Sequence, residues 1–144
     1  ADGVLVVDLP PEESDELTAS WRGNSFCLIR LVAPTTLEDR MHMITQGASG
    51  FMYMVSMTGV TGSGGLDMTQ IKNYVQQLRQ FANLPICVGF GISTPADVAS
   101  VSAIADGVVI GSAFERTIEE NLANPDVAAI IGRQTAEYKE ATRG

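Results

Sequence analysis

Residues 86–95 read Ile86-Cys87-Val88-Gly89-Phe90-Gly91-Ile92-Ser93-Thr94-Pro95. A short apolar run ends in two glycines around a phenylalanine. A cap candidate, Thr94, then stands before a proline suited to the first position of a helix. Asp97 follows where the positive end of a helix dipole favours an acid. One strand, one glycine turn and one helix start are therefore legible in a single short stretch.

The same unit recurs on either side. Apolar runs at Val4 to Leu9, Phe26 to Val32, Phe51 to Ser56 and Gly107 to Ile110 join Ile86 to Phe90 as candidate strands. Most are continuously apolar, as strands covered on both faces are. Thr35 with Glu38 has the capping-box spacing, with Leu37, Met41 and Ile44 on one helical face. Met68, Ile71, Val75, Leu78 and Ala82 form a second helical stripe, another helix pattern starts near Phe114, and Asn124-Pro125 opens a last helix reaching about Thr142. Strand and helix alternating in this way specify an α/β chain with a parallel sheet and right-handed crossovers. A complete (β/α)8 barrel takes about 250 residues. About five βα units then predict part of a TIM barrel, with residues 1–144 as a single domain fragment. An open flavodoxin-like sheet satisfies the same periodicity.

The chain has 144 residues, of which 17 are acidic and 9 basic, for a net charge of −8. That balance argues against nucleic-acid backbone binding, which needs clustered Lys and Arg. An apolar content of 45% is enough for a packed core. No apolar run approaches the roughly 18 residues of a membrane-spanning helix. Two cysteines, Cys27 and Cys87, are too few for a disulfide scaffold, so the expected setting is reduced and cytoplasmic. The apolar run Val4-Leu5-Val6-Val7 follows Ala1-Asp2-Gly3 with no solvated lead-in, which leads us to expect the C-terminal part of a longer protein. An isolated arc of barrel has bare strand edges and an uncovered apolar wall, so self-association is expected of it.

In α/β folds the chemistry lies beyond the carboxyl ends of the strands. Three glycine-bearing segments occupy those ends here: Ser56 to Gly65, Gly89 to Ser93, and Ile110-Gly111-Ser112-Ala113. None contains Lys or Arg. Backbone amides near glycine, joined to the free N–H groups of a helix start, hold an anion without a cation. Ser112 adds a hydroxyl donor. A phosphate between the last two loops is the expected ligand.

Four segments, Asp8-Leu9-Pro10-Pro11-Glu12-Glu13-Ser14, Gly59-Val60-Thr61-Gly62, Gly89-Phe90-Gly91-Ile92-Ser93 and Gly111-Ser112-Ala113, together resemble the tryptophan synthase alpha chain family, in the order of its barrel strands four to eight. The tail Ala141-Thr142-Arg143-Gly144 is similar as well. The resemblance implies a lyase of tryptophan biosynthesis that cleaves indole-3-glycerol phosphate to indole and glyceraldehyde 3-phosphate. It implies a beta chain as partner, carrying pyridoxal phosphate, and no cofactor in this chain. By resemblance, Gly62, Gly91, Gly111 and Ser112 hold the phosphate, Leu5, Tyr53 and Phe90 wall the substrate pocket, and Thr61 belongs to a mobile loop. Pro10, Glu12 and Glu13 correspond to a region near the beta-chain interface. The family's acid/base glutamate and its partner aspartate would fall upstream of Ala1, so no catalytic residue is expected here. Another phosphate-binding barrel isomerase or synthase, and a non-catalytic phosphometabolite-binding module, are the competing readings.

Other polar residues have plain readings. Asp8, at the end of the first strand, is a substrate or lid contact or else a turn cap. His42 is expected on an outer helix face, and Cys27 and Cys87 as small core residues. Two cysteines with no matching histidine make no metal site. Met41, Met43, Met52, Met54 and Met57 fit core packing. Arg30 interrupts an apolar strand and calls for a carboxylate partner.

Overall fold

Strands β1 (Gly3–Leu5), β2 (Cys27–Val32), β3 (Met52–Val55), β4 (Ile86–Gly89) and β5 (Gly107–Val109) lie side by side in chain order, every pair parallel. They come from a computed structural model that describes residues 1–21, 26–56 and 66–143. Helices α1 (Ser14–Thr18), α2 (Glu38–Gln46), α3 (Met68–Leu78), α4 (Pro95–Ser102), α5 (Ser112–Glu120) and α6 (Val127–Ala141) make the connections and the C-terminal cover.

Side chains alternate across a strand, and that alternation separates two faces. Val32, Met52, Met54, Ile86 and Val88 are buried and pack in one cluster with Met41, Ile44, Ile71, Val75, Leu78, Val98 and Val101 from the helices, and Leu28 is buried as well. On the opposite face Cys27, Ile29, Leu31, Tyr53, Val55 and Cys87 are only half-buried. The helices of the described residues therefore cover one face. A doubly wound sheet would carry helices on both, so the open flavodoxin-like alternative is excluded. What remains is one wall of a barrel, seen from outside as core and from inside as an apolar surface. The continuous apolar runs are correct for such a wall, although only its outer side is closed within these residues.

Every strand is shorter than its apolar run. The expected strand at Val4 to Leu9 stops at Leu5, and Val6 and Val7 are exposed. β1 is an edge strand with a partner on one side only, and pairing to β2 ends at Leu5 opposite Ile29. Apolar character reports burial, whereas strand length is set by available hydrogen-bond partners.

Helix starts differ in instructive ways. Thr94 and Asp97 form the expected reciprocal capping box: Asp97 N–H donates to Thr94 Oγ1 at 3.1 Å and Thr94 N–H to Asp97 Oδ2 at 2.9 Å. The capping box at Thr35 and Glu38 does not form. Leu37 caps α2 without a side-chain bond, while Thr36 Oγ1 accepts from Ala33 N–H at 3.0 Å and closes the preceding turn. Asn124 likewise makes a local turn, accepting from Asp126 N–H at 2.9 Å, and α6 begins only at Val127. Side chains that compete for nearby amides favour turns as readily as caps. α5 starts at Ser112, earlier than the apolar stripe alone suggested. α6 lies across α4 and α5.

Candidate anion-binding site

Parallel register places the glycine-bearing strand ends level with one another. Val55 pairs with Gly89, and Gly89 with Val109. Ser56, Phe90 and Ile110 therefore leave β3, β4 and β5 at one height, at the same end of the sheet. Gly59, Thr61, Gly62 and the remainder of 57–65 lie outside the described residues.

The turn after β4 has an unusual backbone. Phe90 has φ +85° and Gly91 φ +73°. Glycine adopts that region freely, but a side chain with a Cβ pays for it, commonly about 1–3 kcal/mol. Ser56 holds the strained turn from β3. It is fully buried, its N–H donates to Gly89 O at 2.8 Å, and its Oγ stands 3.0 Å from Gly89 O. The same hydroxyl reaches Phe90 O, so one proton serves two carbonyls. Two positive φ values in succession leave the Phe90 side chain exposed at the mouth of the sheet. Ser93 N–H is taken by Asp97 Oδ2 at 3.2 Å, which fixes the far side of the loop.

The turn after β5 is simpler. Gly111 caps α5, and its carbonyl accepts from Phe114 N–H at 2.9 Å and Glu115 N–H at 3.2 Å. The amides of Ser112 and Ala113 precede any carbonyl that α5 itself can offer. Ser112 is exposed, and a methyl placed on Gly111 would meet nothing within 4 Å. Helix dipole and free amides thus face open space beside the Phe90 turn. Such an end carries roughly half a positive charge and suits an anion. Gly91, Gly111 and Ser112 are brought to adjacent strand ends.

Tyr53 stands on the inner face of β3 with its ring against the Gly89 backbone. A methyl at Gly89 would lie 2.6 Å from Tyr53 Cζ and closer still to its hydroxyl oxygen. The glycine makes room for the phenol. Burial pushes the Tyr53 phenol above its ordinary value, so it remains a neutral hydroxyl at physiological pH. Leu5 shares that inner face but is two strands away. It pairs with Ile29, whereas Tyr53 pairs with Leu31, so Leu5 sits deeper along the wall. Leu5 and Tyr53 thus share one face at different depths, and Phe90 stands exposed at its mouth, so the three wall candidates do not meet at a point.

At the other side of the sheet, Pro10, Glu12 and Glu13 belong to a short 3-10 turn ahead of α1, where Glu13 N–H donates to Pro10 O at 3.1 Å. Glu12 forms an ion pair with Arg40 of α2, and that hydrogen bond holds its carboxyl below the usual value. The expected carboxylate partner of Arg30 is not found among the described residues. Arg30 is buried on the outer face, and its Nε and Nη1 have no hydrogen-bond partner among the described residues. Glu12 is drawn off to Arg40, and Arg30 feels the longer-range fields of Glu12 and Asp15, opposed by that of Arg40. Burial is the main influence lowering its pKa. Asp8 is exposed beside a cavity of about 300 Å³ that Arg30 also lines.

The cysteines are not core residues: both lie half-buried on the inner face, and burial raises the Cys87 thiol. His42 is exposed on α2, its Nε2 2.9 Å from Gln46 Nε2. No group of three or more potential metal ligands occurs among the described residues. No helix among them is long and apolar enough to cross a membrane. Two contributors escaped the sequence reading. Ser56 carried a signal, a polar residue closing an apolar strand at its carboxyl end. Tyr138 carried only its place on the inward stripe of α6.

A model of the tryptophan synthase alpha chain family matches residues 1–143. The chain belongs to that family. It is 61% identical over 143 residues to the tryptophan synthase alpha chain of Desulfosudis oleivorans, covering 99% of this chain and 54% of that protein. The alpha chain of Desulfatibacillum aliphaticivorans is 59% identical over 144 residues, again with 54% of its length covered. Among solved structures, tryptophan synthase subunit alpha from Legionella pneumophila superposes with a TM-score of 0.84 at 36% identity, covering 99% of this chain and 52% of that one. The chain therefore spans about half the length of the relatives it matches. Its five parallel strands form a half-barrel of the TIM type found in the family.

Proposed function

We propose that this chain supplies the phosphate-holding part of a tryptophan synthase alpha chain, corresponding to barrel strands four to eight as a single domain fragment. The reaction is cleavage of indole-3-glycerol phosphate to indole and glyceraldehyde 3-phosphate. The observation that carries the reading is the level placement of the Phe90 turn and the α5 start, one strand apart, both offering amides and no cation. The amides of Gly91, Gly111 and Ser112, with the Ser112 hydroxyl, hold the phosphate. Gly62 is assigned to the phosphate as well and Thr61 to the substrate, both outside the described residues. In a chain of charge −8 no long-range field gathers anions, so capture depends on short-range donors.

Leu5, Tyr53 and Phe90 wall the pocket, with the apolar inner face taking the flat indole ring. Cleavage breaks the bond between indole C3 and the glycerol chain. Its electron pair passes to the indole, C3 gains a proton, and the adjoining glycerol hydroxyl loses one to become the aldehyde. The neutral Tyr53 phenol lies near the glycerol as a donor. The groups that move these protons belong to the part of the barrel before these strands, and positioned acid/base work of that kind is worth about 10² to 10⁴ in rate. The chain itself holds no cofactor. Its partner is a beta chain carrying pyridoxal phosphate, met near Pro10, Glu12 and Glu13, in the cytoplasm.

The test is a comparison of the full-length protein with residues 1–144 alone. Full-length protein should release indole from indole-3-glycerol phosphate. Residues 1–144 should release it at least about 10²-fold more slowly, while binding an indole-alkyl phosphate more tightly than a bare sugar phosphate. Equal binding of the two ligands, or turnover by residues 1–144 at the full-length rate, would overturn the proposal.

A further inference from the structure

Tyr138 is far in sequence from both glycine turns, yet it touches the supports of each. Its side chain is almost fully buried on α6. Its hydroxyl donates to Ser93 O at 2.7 Å, two residues beyond Gly91 of the turn after β4. Its ring meets Phe114 edge-on, with centroids 5.6 Å apart and planes at 76°. Phe114 lies in the first turn of α5, where its N–H donates to Gly111 O. One side chain thus ties the loop after β4 to the helix start after β5. The hydroxyl is itself oriented, because Gln134 Nε2 donates to it at 3.0 Å. Its lone proton is then directed to Ser93.

We infer that Tyr138 is a positioning residue that holds the two amide-bearing turns at a fixed separation, so that they act as one cradle for the substrate's phosphate. This rests on the phosphate reading of those turns. Backbone amides cannot be re-aimed by side-chain rotation, so their spacing has to be set from behind. Asp97 fixes the Ser93 amide within its own helix start. Among the described residues, Tyr138 bridges from one turn's support to the other's.

The experiment uses the full-length alpha chain, wild type and Tyr138→Phe, with two probes: inorganic phosphate and free indole. Binding is followed by the backbone amide resonances of Gly91, Gly111 and Ser112 and by direct titration. The variant keeps the ring and loses only the hydroxyl. Loss of one hydrogen bond should raise the phosphate dissociation constant about three- to tenfold, with the indole constant unchanged. An unchanged phosphate constant would overturn the inference, and so would equal weakening of both probes, the mark of a general structural lesion. Should Tyr138→Phe fail to fold, Gln134→Met removes the orienting donor and should weaken phosphate alone, about twofold; no selective weakening there overturns the inference as well. Should phosphate leave those three amide resonances unmoved in the wild type, the phosphate reading itself falls. If it moves them and Tyr138→Phe binds as well as wild type, only the role of Tyr138 falls.

Discussion

Gly89→Ala probes the link between the inner wall and the strained turn. Gly89 is buried at the end of β4, and an added methyl would stand 2.6 Å from Tyr53 Cζ and 3.0 Å from Val109 Cβ, and nearer still to the Tyr53 hydroxyl. Carbon atoms rest about 3.5–4.0 Å apart, so the phenol must retreat by roughly an ångström or β4 must shift. Moving β4 would pull the Gly89 carbonyl from Ser56. Overpacking of this kind costs about 1–3 kcal/mol. The penalty belongs chiefly to the pair, so Tyr53→Leu should relieve it: in that background Gly89→Ala should cost about 0–1 kcal/mol, leaving only the Val109 contact. The assay is a double-mutant cycle by urea unfolding of the full-length chain. A coupling energy of about 1–2 kcal/mol is expected. Additivity within about 0.5 kcal/mol would show that the ring does not lie over Gly89, and would refute the packing behind the proposed pocket.

Arg30→Met should stabilise the chain by about 1–3 kcal/mol in denaturant unfolding, because an unpaired buried charge is exchanged for an apolar side chain of similar length; a loss of stability would mean that the guanidinium has a partner. Ser112→Glu should raise stability by about 0.3–1 kcal/mol through the dipole of α5, yet weaken phosphate binding at least about tenfold through like-charge repulsion. Parallel changes in both would contradict the site. Asp106 accepts from Ile86 N–H at 2.8 Å and pairs with Arg79 at 3.1 Å, and these hold its carboxyl below the ordinary value. A lowered folded-state pKa gives stability that is present above the unfolded value and is lost as pH falls through the folded one. Wild-type stability should thus fall on the acid side of the usual carboxylate range by more than that of Asp106→Asn, by under about 1 kcal/mol given the pair's exposure. Identical acid limbs would refute this.

The order of βα units was legible because burial against helices selects one side of every strand and one stripe of every helix. Met52, Met54, Ile86 and Val88 recur against Ile71, Val75, Leu78 and Val101, and such patterns need no knowledge of partners. Strand ends were less legible, since Val6 and Val7 are as apolar as Val4, yet β1 leaves the sheet after Leu5 while β2 runs on to Val32. Caps divided by chemistry. Thr94 succeeded because Pro95 and Asp97 leave few alternatives, whereas Thr35 stands too early: α2 begins only at Glu38 with Leu37 at its cap. The glycine turns of the site were visible as composition. Their support was not: Ser56 acts through the register of β3 with β4, and Tyr138 reaches Ser93 across 45 residues. Arg30 announced a buried charge correctly, but its absent partner depends on the Glu12–Arg40 pair, a contact between separate units.

The most direct test is a crystal structure of the full-length chain with an indole-alkyl phosphate bound. The account predicts phosphate density between the amides of Gly91, Gly111 and Ser112, with the indole on the inner face toward Tyr53 and Leu5. Phosphate density at the opposite end of the strands, or held by Arg30 and Arg40 instead, would contradict it.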